Sequence, residues 1–133
     1  VSEIVVDASA VVRALLGRDA VSVALRKRIV ESEAHAPHLV DAEFGTVLRR
    51  AVRKGEVSEA DAELAIRVLT DLIDTRHDEV GYIAMKAWEL RDNVSYWDAL
   101  YASLADWLNV PLLTRDIRLS KAPGLPCQVE LVA

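Results

Sequence analysis

Four carboxylates stand where a metal-dependent hydrolase would need them. They are Asp7 in Ile4-Val5-Val6-Asp7-Ala8-Ser9, Glu43 in Val40-Asp41-Ala42-Glu43-Phe44, Asp98 in Tyr96-Trp97-Asp98-Ala99-Leu100-Tyr101 and Asp116 in Leu112-Leu113-Thr114-Arg115-Asp116. Three of them fall where the residue pattern ends a strand or begins a helix, which is where an open α/β sheet gathers its ligands. Two carboxylates ~4 Å apart repel by ~4 kcal/mol at an effective dielectric of about 20. Protonation relieves that repulsion, and so does a divalent cation. An all-oxygen donor set favours Mg2+ or Mn2+ over zinc. A cation held this way activates water and stabilises charge on a phosphodiester, which is nuclease chemistry.

Each acid also has a plainer role. Asp7 suits a helix N-cap, and capping is compatible with metal ligation through other carboxylate lone pairs. Glu43, one turn into its helix, borders an apolar stripe beside Val47 and reads equally as a surface residue. Asp98 pairs with Ser95 in a capping-box pattern, yet lies close to Ala105 on the rim of the buried face, where an unpaired carboxylate is costly. Asp116 also suits a helix cap, and Thr114 is placed to orient a carboxylate or a water. It is the combination that points to one site: an acid after the first strand, one in an early helix, one opening a late helix and one after the next strand.

Those positions depend on alternating strands and helices. Glu3 to Val6 reads as a buried strand. Ala8 to Leu16 follows as a helix, with Val11, Val12, Leu15 and Leu16 at helical spacing and Gly17 as its stop. Val21 to Val30 is helical, with Val21, Leu25 and Ile29 on one side, and His35 to His38 is a short strand interrupted by Pro37. Val40 to Lys54 is a helix with Val40, Phe44, Val47, Leu48 and Ala51 inward. Ser58 opens a longer helix to about Thr75, with Leu64, Ala65, Val68, Leu69 and Leu72 as its stripe. Thr75 to Val80 is ambiguous. Gly81 to Arg91 is a helix with Ala84, Ala87 and Trp88 inward, and Ser95 caps another to Leu108. Val110 to Thr114 is a strand, Asp116 to Ser120 a helical turn and Gln128 to Val132 a last strand. Such alternation specifies a three-layer α/β/α domain with a central parallel sheet flanked by helices.

With 133 residues, 52% of them apolar and 28% charged, the chain reads as one globular domain, 1–133. No run approaches the ~18 apolar residues of a membrane span, no signal peptide is visible, and Cys127 is the single cysteine, so no internal disulfide forms. A reducing cytoplasm fits. The formal charge of −5 runs against the basic balance usual in nucleic-acid binders, although a carboxylate cluster lowers it and basic residues are locally grouped. Arg50, Lys54, Arg115 and Arg118 are the candidates for phosphate contact.

The four segments resemble the metal motifs of PIN-domain ribonucleases, specifically the VapC toxins of bacterial toxin–antitoxin pairs. Val5-Val6-Asp7-Ala8-Ser9-Ala10 resembles the first motif, Val40 to Phe44 the second, Trp97 to Tyr101 with Leu104-Ala105 the third, and Leu113 to Leu119 the fourth. The resemblance covers nearly the whole chain and implies a metal-dependent endoribonuclease. Asp7 and Asp98 would hold Mg2+ (Mn2+ substituting), with Glu43 and Asp116 completing the pocket partly through waters. Cleavage would leave a 5′-phosphate and a 3′-hydroxyl. The same resemblance implies an RNA substrate, a cognate VapB-type antitoxin and a homodimer.

The remaining chemistry-bearing residues read as structural. His35, His38 and His77 follow no motif with the acids, Cys127 is a packing residue, and Tyr96, Trp97 and Trp107 fit core packing better than base stacking. A receiver-type phosphotransfer domain would pair acids at the first strand end, where Asp7 instead follows Val6, and would place a lysine after a late strand, whereas Lys121 lies outside it. A phosphatase using an aspartate nucleophile would have a second Asp at the position of Ser9. A non-catalytic interaction module that retains the fold is the third alternative.

Overall fold

The computed structural model describes residues 1–133. Five short strands form one sheet: β1 (Glu3–Val6), β2 (Glu33–Pro37), β3 (Thr75–His77), β4 (Leu112–Thr114) and β5 (Val129–Leu131). Their order is β3-β2-β1-β4-β5 and every pairing is parallel. The chain winds outward from β1 to one edge and then returns to fill the other. The switch in direction falls between β1 and β4, where such sheets open a crevice at the carboxyl ends of their strands.

Both faces are covered. Helices α1 (Ala8–Leu16), α2 (Ala20–Glu31), α3 (Leu39–Arg53) and α4 (Glu59–Leu72) pack on one another, while α5 (Tyr82–Glu89) packs on α6 (Tyr96–Leu108), which lies against β1, β2 and β4. A short α7 (Ile117–Ser120) sits against β4 and β5. Burial on both faces explains the unbroken Ile4-Val5-Val6 and Leu112-Leu113 runs, all fully buried.

Local chemistry sets the element ends. Asp7, Asp19, Ser58, Ser95 and Asp116 each cap a helix, accepting hydrogen bonds from backbone N–H groups of the first turn. Gly17 stops α1 through close packing rather than a left-handed turn: its φ is −74°, and a Cβ there would lie 1.8 Å from Ser22 Oγ. Gly55, just past α3, does take the left-handed conformation, at φ +74°.

Several sequence expectations shift. The second strand starts at Glu33 because it pairs with β1 from Glu3 onward, and it ends at Pro37, leaving His38 to open α3. The first residues expected in the fourth strand, Val110 and Pro111, precede it, and the ambiguous stretch after α4 is a strand only over Thr75–His77. Val21 is exposed, so Ser22, Leu25 and Ile29 form the inner side of α2. In α4 the small residues face inward: Ala62, Ala65, Leu69 and Leu72 are buried, while Leu64 and Val68 are exposed. Trp88 is also outside, 56% exposed beneath the Arg91 guanidinium, and Ile83, Ala87 and Leu90 take the inner positions around α5.

The aromatics of α6 depart furthest from expectation. Seven consecutive residues, Ala99 to Ala105, are buried, so the middle of this helix is enclosed all round. Tyr96, Trp97 and Trp107 lie in its two end turns, outside that enclosed stretch, and all three are exposed.

Candidate metal centre

Asp7 follows β1 and is 5% exposed. Its backbone N–H donates to Leu113 O at 3.1 Å, continuing the pairing of β1 with β4 beyond the last strand residue. Its Oδ1 accepts from the Ala10 N–H at 3.0 Å and from the Ser9 hydroxyl at 2.6 Å. Its Oδ2 accepts from the Thr114 hydroxyl. An ionised carboxylate offers about four lone-pair sites, so three are engaged and one remains. Burial raises the Asp7 pKa, the hydrogen bonds from Ser9, Thr114 and Ala10 oppose that rise, and the Asp98 charge adds to it.

Thr114 links two of the acids. Its hydroxyl donates to Asp7 and accepts from the Asp116 N–H at 3.0 Å. Ser9 Oγ, 3.3 Å from Thr114 Oγ1, accepts from the Arg115 N–H at 3.0 Å. These bonds tie the loop after β1 to the loop after β4 across the switch point. Asp116 caps α7 with a single oxygen, Oδ1, which accepts from Arg118 N at 2.9 Å and Leu119 N at 3.2 Å; its other oxygen makes no protein hydrogen bond.

Glu43 and Asp98 come from helices on opposite faces of the sheet. The Tyr101 hydroxyl, on a ring that is almost fully buried, donates to Glu43 Oε1 at 2.7 Å. Tyr101 stands one turn after Asp98 on α6, so both present the same side of that helix toward α3. Burial raises the Glu43 pKa; the Tyr101 bond opposes this, and the Asp7 and Asp98 charges reinforce it. Asp98 is raised mainly by burial, held back by Ser95, pushed up by Asp116 and lowered by Arg118. The Tyr101 hydroxyl is held far above its ordinary range by burial and by Glu43.

The four acids therefore lie in one another's field. No three of them bring their ligand atoms within 4.8 Å of one another. The donors are carboxylates, with the Ser9 and Thr114 hydroxyls behind Asp7, and no histidine or cysteine is among them. This chemistry fits Mg2+ or Mn2+.

A cleft of about 710 Å3 opens over the centre, and Ser9, Glu43, Arg50, Trp97, Asp98 and Arg115 are among its lining residues. Arg50 and Arg115 are thus beside the acids, and Arg118 is near enough to act on Asp98. Lys54 is not part of this lining; it lies 11 residues beyond Glu43, roughly 16 Å along the helix. Ser9, Tyr101 and Trp97 are the residues sequence reasoning did not place in the site. Ser9 is two residues from Asp7 and was within reach of a local argument. The bond of Tyr101 to Glu43 spans 58 residues and left no local signal.

Of the histidines, His35 is buried and bonded to Glu3 and His77, while His38 pairs with Asp78 on the surface. None enters the acid centre. The apolar Val6 before Asp7 is fully buried, so the paired acids of a phosphotransfer receiver are absent from this strand end.

Comparison with known proteins places the chain in a family. The PIN domain family model matches residues 4–125. Ribonuclease VapC1 of Mycobacterium tuberculosis is 52% identical over 130 residues, covering 98% of each chain. Ribonuclease VapC9 of the same organism is 39% identical over 129 residues, 97% of this chain and 98% of its own. Among solved structures, VapBC2 from Rickettsia felis, bound to a DNA fragment from their promoter, superposes with a TM-score of 0.74 at 14% identity, covering 98% of this chain and 99% of that one. The chain belongs to the PIN-domain family, among its VapC members.

Proposed function

We propose that this protein is a metal-dependent endoribonuclease, the toxin of a type II toxin–antitoxin pair. The observation that carries the reading is the convergence of Asp7, Glu43, Asp98 and Asp116 at the switch-point crevice, each of the first three perturbed by another's charge. The names of the VapC1 and VapC9 relatives support ribonuclease activity.

Asp7 and Asp98 would hold Mg2+, with Mn2+ as a substitute, and Glu43 and Asp116 would complete the pocket. When bound, the ion lowers the pKa of a coordinated water and offsets charge on the scissile phosphate. Thr114 and Ser9 fix the Asp7 carboxylate, and Tyr101 fixes Glu43. Arg50 and Arg115 receive the RNA phosphates flanking the cut, with Arg118 and Lys54 contacting the strand further out. Trp97, 61% exposed at the cleft, offers its ring to an unpaired base. Attack by water on phosphorus, with the 3′ oxygen leaving, yields a 5′-phosphate and a 3′-hydroxyl.

The partner is a VapB-type antitoxin. A groove of about 880 Å3, lined by Leu15, Leu16, Val23, Leu64 and Val68 together with Arg18, Arg26, Glu56 and Asp61, suits an amphipathic antitoxin segment. The exposed Tyr82, Met85, Trp88 and Trp107 of α5 and α6 suit a second copy of the chain in a homodimer. The protein works as one domain in the cytoplasm, where its substrate is; no helix is long and apolar enough to cross a membrane.

Incubating the purified protein with structured RNAs in Mg2+ or Mn2+, then with EDTA, tests the reading. Cleavage should need the metal and vanish in folded Asp7→Asn and Asp98→Asn. RNA left intact by the folded wild-type protein in both metals, or cut equally by both variants, would overturn it.

A further inference from the structure

We propose that Glu3, Glu33 and His35 form a zinc site at the amino ends of β1 and β2, at the opposite rim of the sheet from the acid centre. One ligand atom from each lies within 4.8 Å of the other two. Glu3 and Glu33 are register partners on adjacent parallel strands, and His35 follows Glu33 by two residues, so all three share one face. Four residues of strand separate Glu3 from Asp7, about 13 Å. The inference does not depend on the nuclease reading.

The histidine makes this more than a pair of surface acids. His35 is 5% exposed, and both of its nitrogens are accounted for. Nδ1 lies 2.9 Å from His77 Nε2. Nε2 points between the two glutamates, 3.0 Å from Glu3 Oε1 and 3.9 Å from Glu33 Oε1. A tetrahedral zinc with arms of about 2.0–2.1 Å separates its ligand atoms by about 3.3 Å, a value between those two distances. Small swings of the half-exposed glutamate side chains complete the geometry, and a water takes the fourth position.

Electrostatics favour occupancy. Like charges directly opposite on neighbouring strands destabilise a sheet, and neither glutamate has a lysine or arginine within ion-pairing distance, only the His35 ring. A divalent cation neutralises the two carboxylates together. One imidazole with two carboxylates suits zinc better than Mg2+, which separates this site chemically from the all-oxygen centre. Zinc here fastens the first strand to the second.

The site also has a distinctive proton signature. Without metal, the chain that satisfies every group runs from His77 Nε2–H to His35 Nδ1 and from His35 Nε2–H to Glu3. With zinc on Nε2, the His35 proton resides on Nδ1 and is donated to His77 Nε2, as metal-bound imidazoles usually donate their second N–H. His77 then carries its own proton on Nδ1. Both rings switch tautomer, and no proton is gained or lost by the pair.

The test uses the full-length Asp98→Asn protein, to weaken the acid centre, titrated with Zn2+ while long-range 1H–15N spectra of the histidines are recorded. At one equivalent, His35 Nε2 should move to a metal-bound shift, the His77 tautomer should invert, and Tm should rise by roughly 5–10 °C. Glu3→Gln/Glu33→Gln, whose side chains are half-exposed and whose fold the amide spectrum checks, should abolish all three changes. The proposal is overturned if His35 and His77 stay unchanged at ten equivalents of Zn2+. It is equally overturned if only His38 responds, or if the double variant binds zinc at His35 as the parent does.

Discussion

The Thr114 hydroxyl acts in both directions, donating to Asp7 and accepting from the Asp116 N–H, so one small side chain aligns two of the four acids. Valine at this position keeps the shape but removes both bonds. Thr114→Val should lower kcat by about 10- to 100-fold, the equivalent of roughly 1.5–3 kcal/mol for hydrogen bonds to a charged group, with the fold retained by circular dichroism. Tyr101 acts on Glu43 more selectively. Its bond holds the Glu43 pKa down against burial, so Tyr101→Phe should raise that pKa. The acidic limb of the cleavage pH profile then moves to higher pH, which a pH series at saturating metal would reveal. An unshifted limb would mean that Glu43 ionisation does not control the reaction.

The buried acids also set the stability of the metal-free protein. Asp7, Glu43 and Asp98 all have folded pKa values raised above their ordinary 3.8, 4.5 and 3.8. In the window above those values the folded state binds more protons than the unfolded chain, so stability falls as pH rises through it. Asp19 and Glu130 are shifted downward and act with the opposite sign, their contribution being lost as pH falls through their lowered values. Asp7→Asn, which keeps a capping side chain, should therefore inactivate the enzyme yet stabilise it by about 0.5–2 kcal/mol near neutral pH without metal. Thermal melts in EDTA, compared at acidic and neutral pH, measure the difference, and it should shrink at the acidic end.

At the scale of elements, the turn from α1 to α2 leaves no room for a side chain at Gly17. A Cβ on Gly17 would meet Ser22 Oγ at 1.8 Å, Ser22 Cβ at 2.6 Å and the Arg13 carbonyl at 2.7 Å. Gly17→Ala should cost about 1–3 kcal/mol. Adding Ser22→Ala should not restore the loss, since the Cβ and carbonyl contacts remain; denaturant melts of the single and double variants decide this. Helix ends were legible in the sequence because they rest on local chemistry: Ser58 and Ser95 cap where the residue pattern placed them. Inner faces were less so. Leu64, Val68 and Trp88 looked buried from hydropathy, but α4 and α5 turn alanines toward their neighbours, and small residues allow closer packing that periodicity does not weigh. The four acids stood out as candidates through their combined placement, whereas the contact of Tyr101 with Glu43 joins distant helices.

At the scale of the whole molecule, a net charge of −5 opposes RNA, and Arg50 and Arg115 line the cleft with Arg118 near Asp98. Binding should therefore depend on a few phosphate contacts. In an inactive Asp98→Asn background, Arg50→Ala and Arg115→Ala should each weaken RNA binding and reduce the salt dependence of log K by about 0.7. The groove beside α4 shares no lining residue with that cleft. Leu64→Glu/Val68→Glu should leave cleavage intact while removing affinity for a co-expressed antitoxin, measured by co-purification and by RNA cutting in the same extract.

Because every strand of the sheet runs in one direction, all five carboxyl termini meet the same rim, and the proposed ligands Asp7 and Asp116 follow two of them. The far rim, where β1 and β2 begin, holds none of the four acids. Substitutions on that side should therefore alter stability or surface contacts without touching the proposed centre.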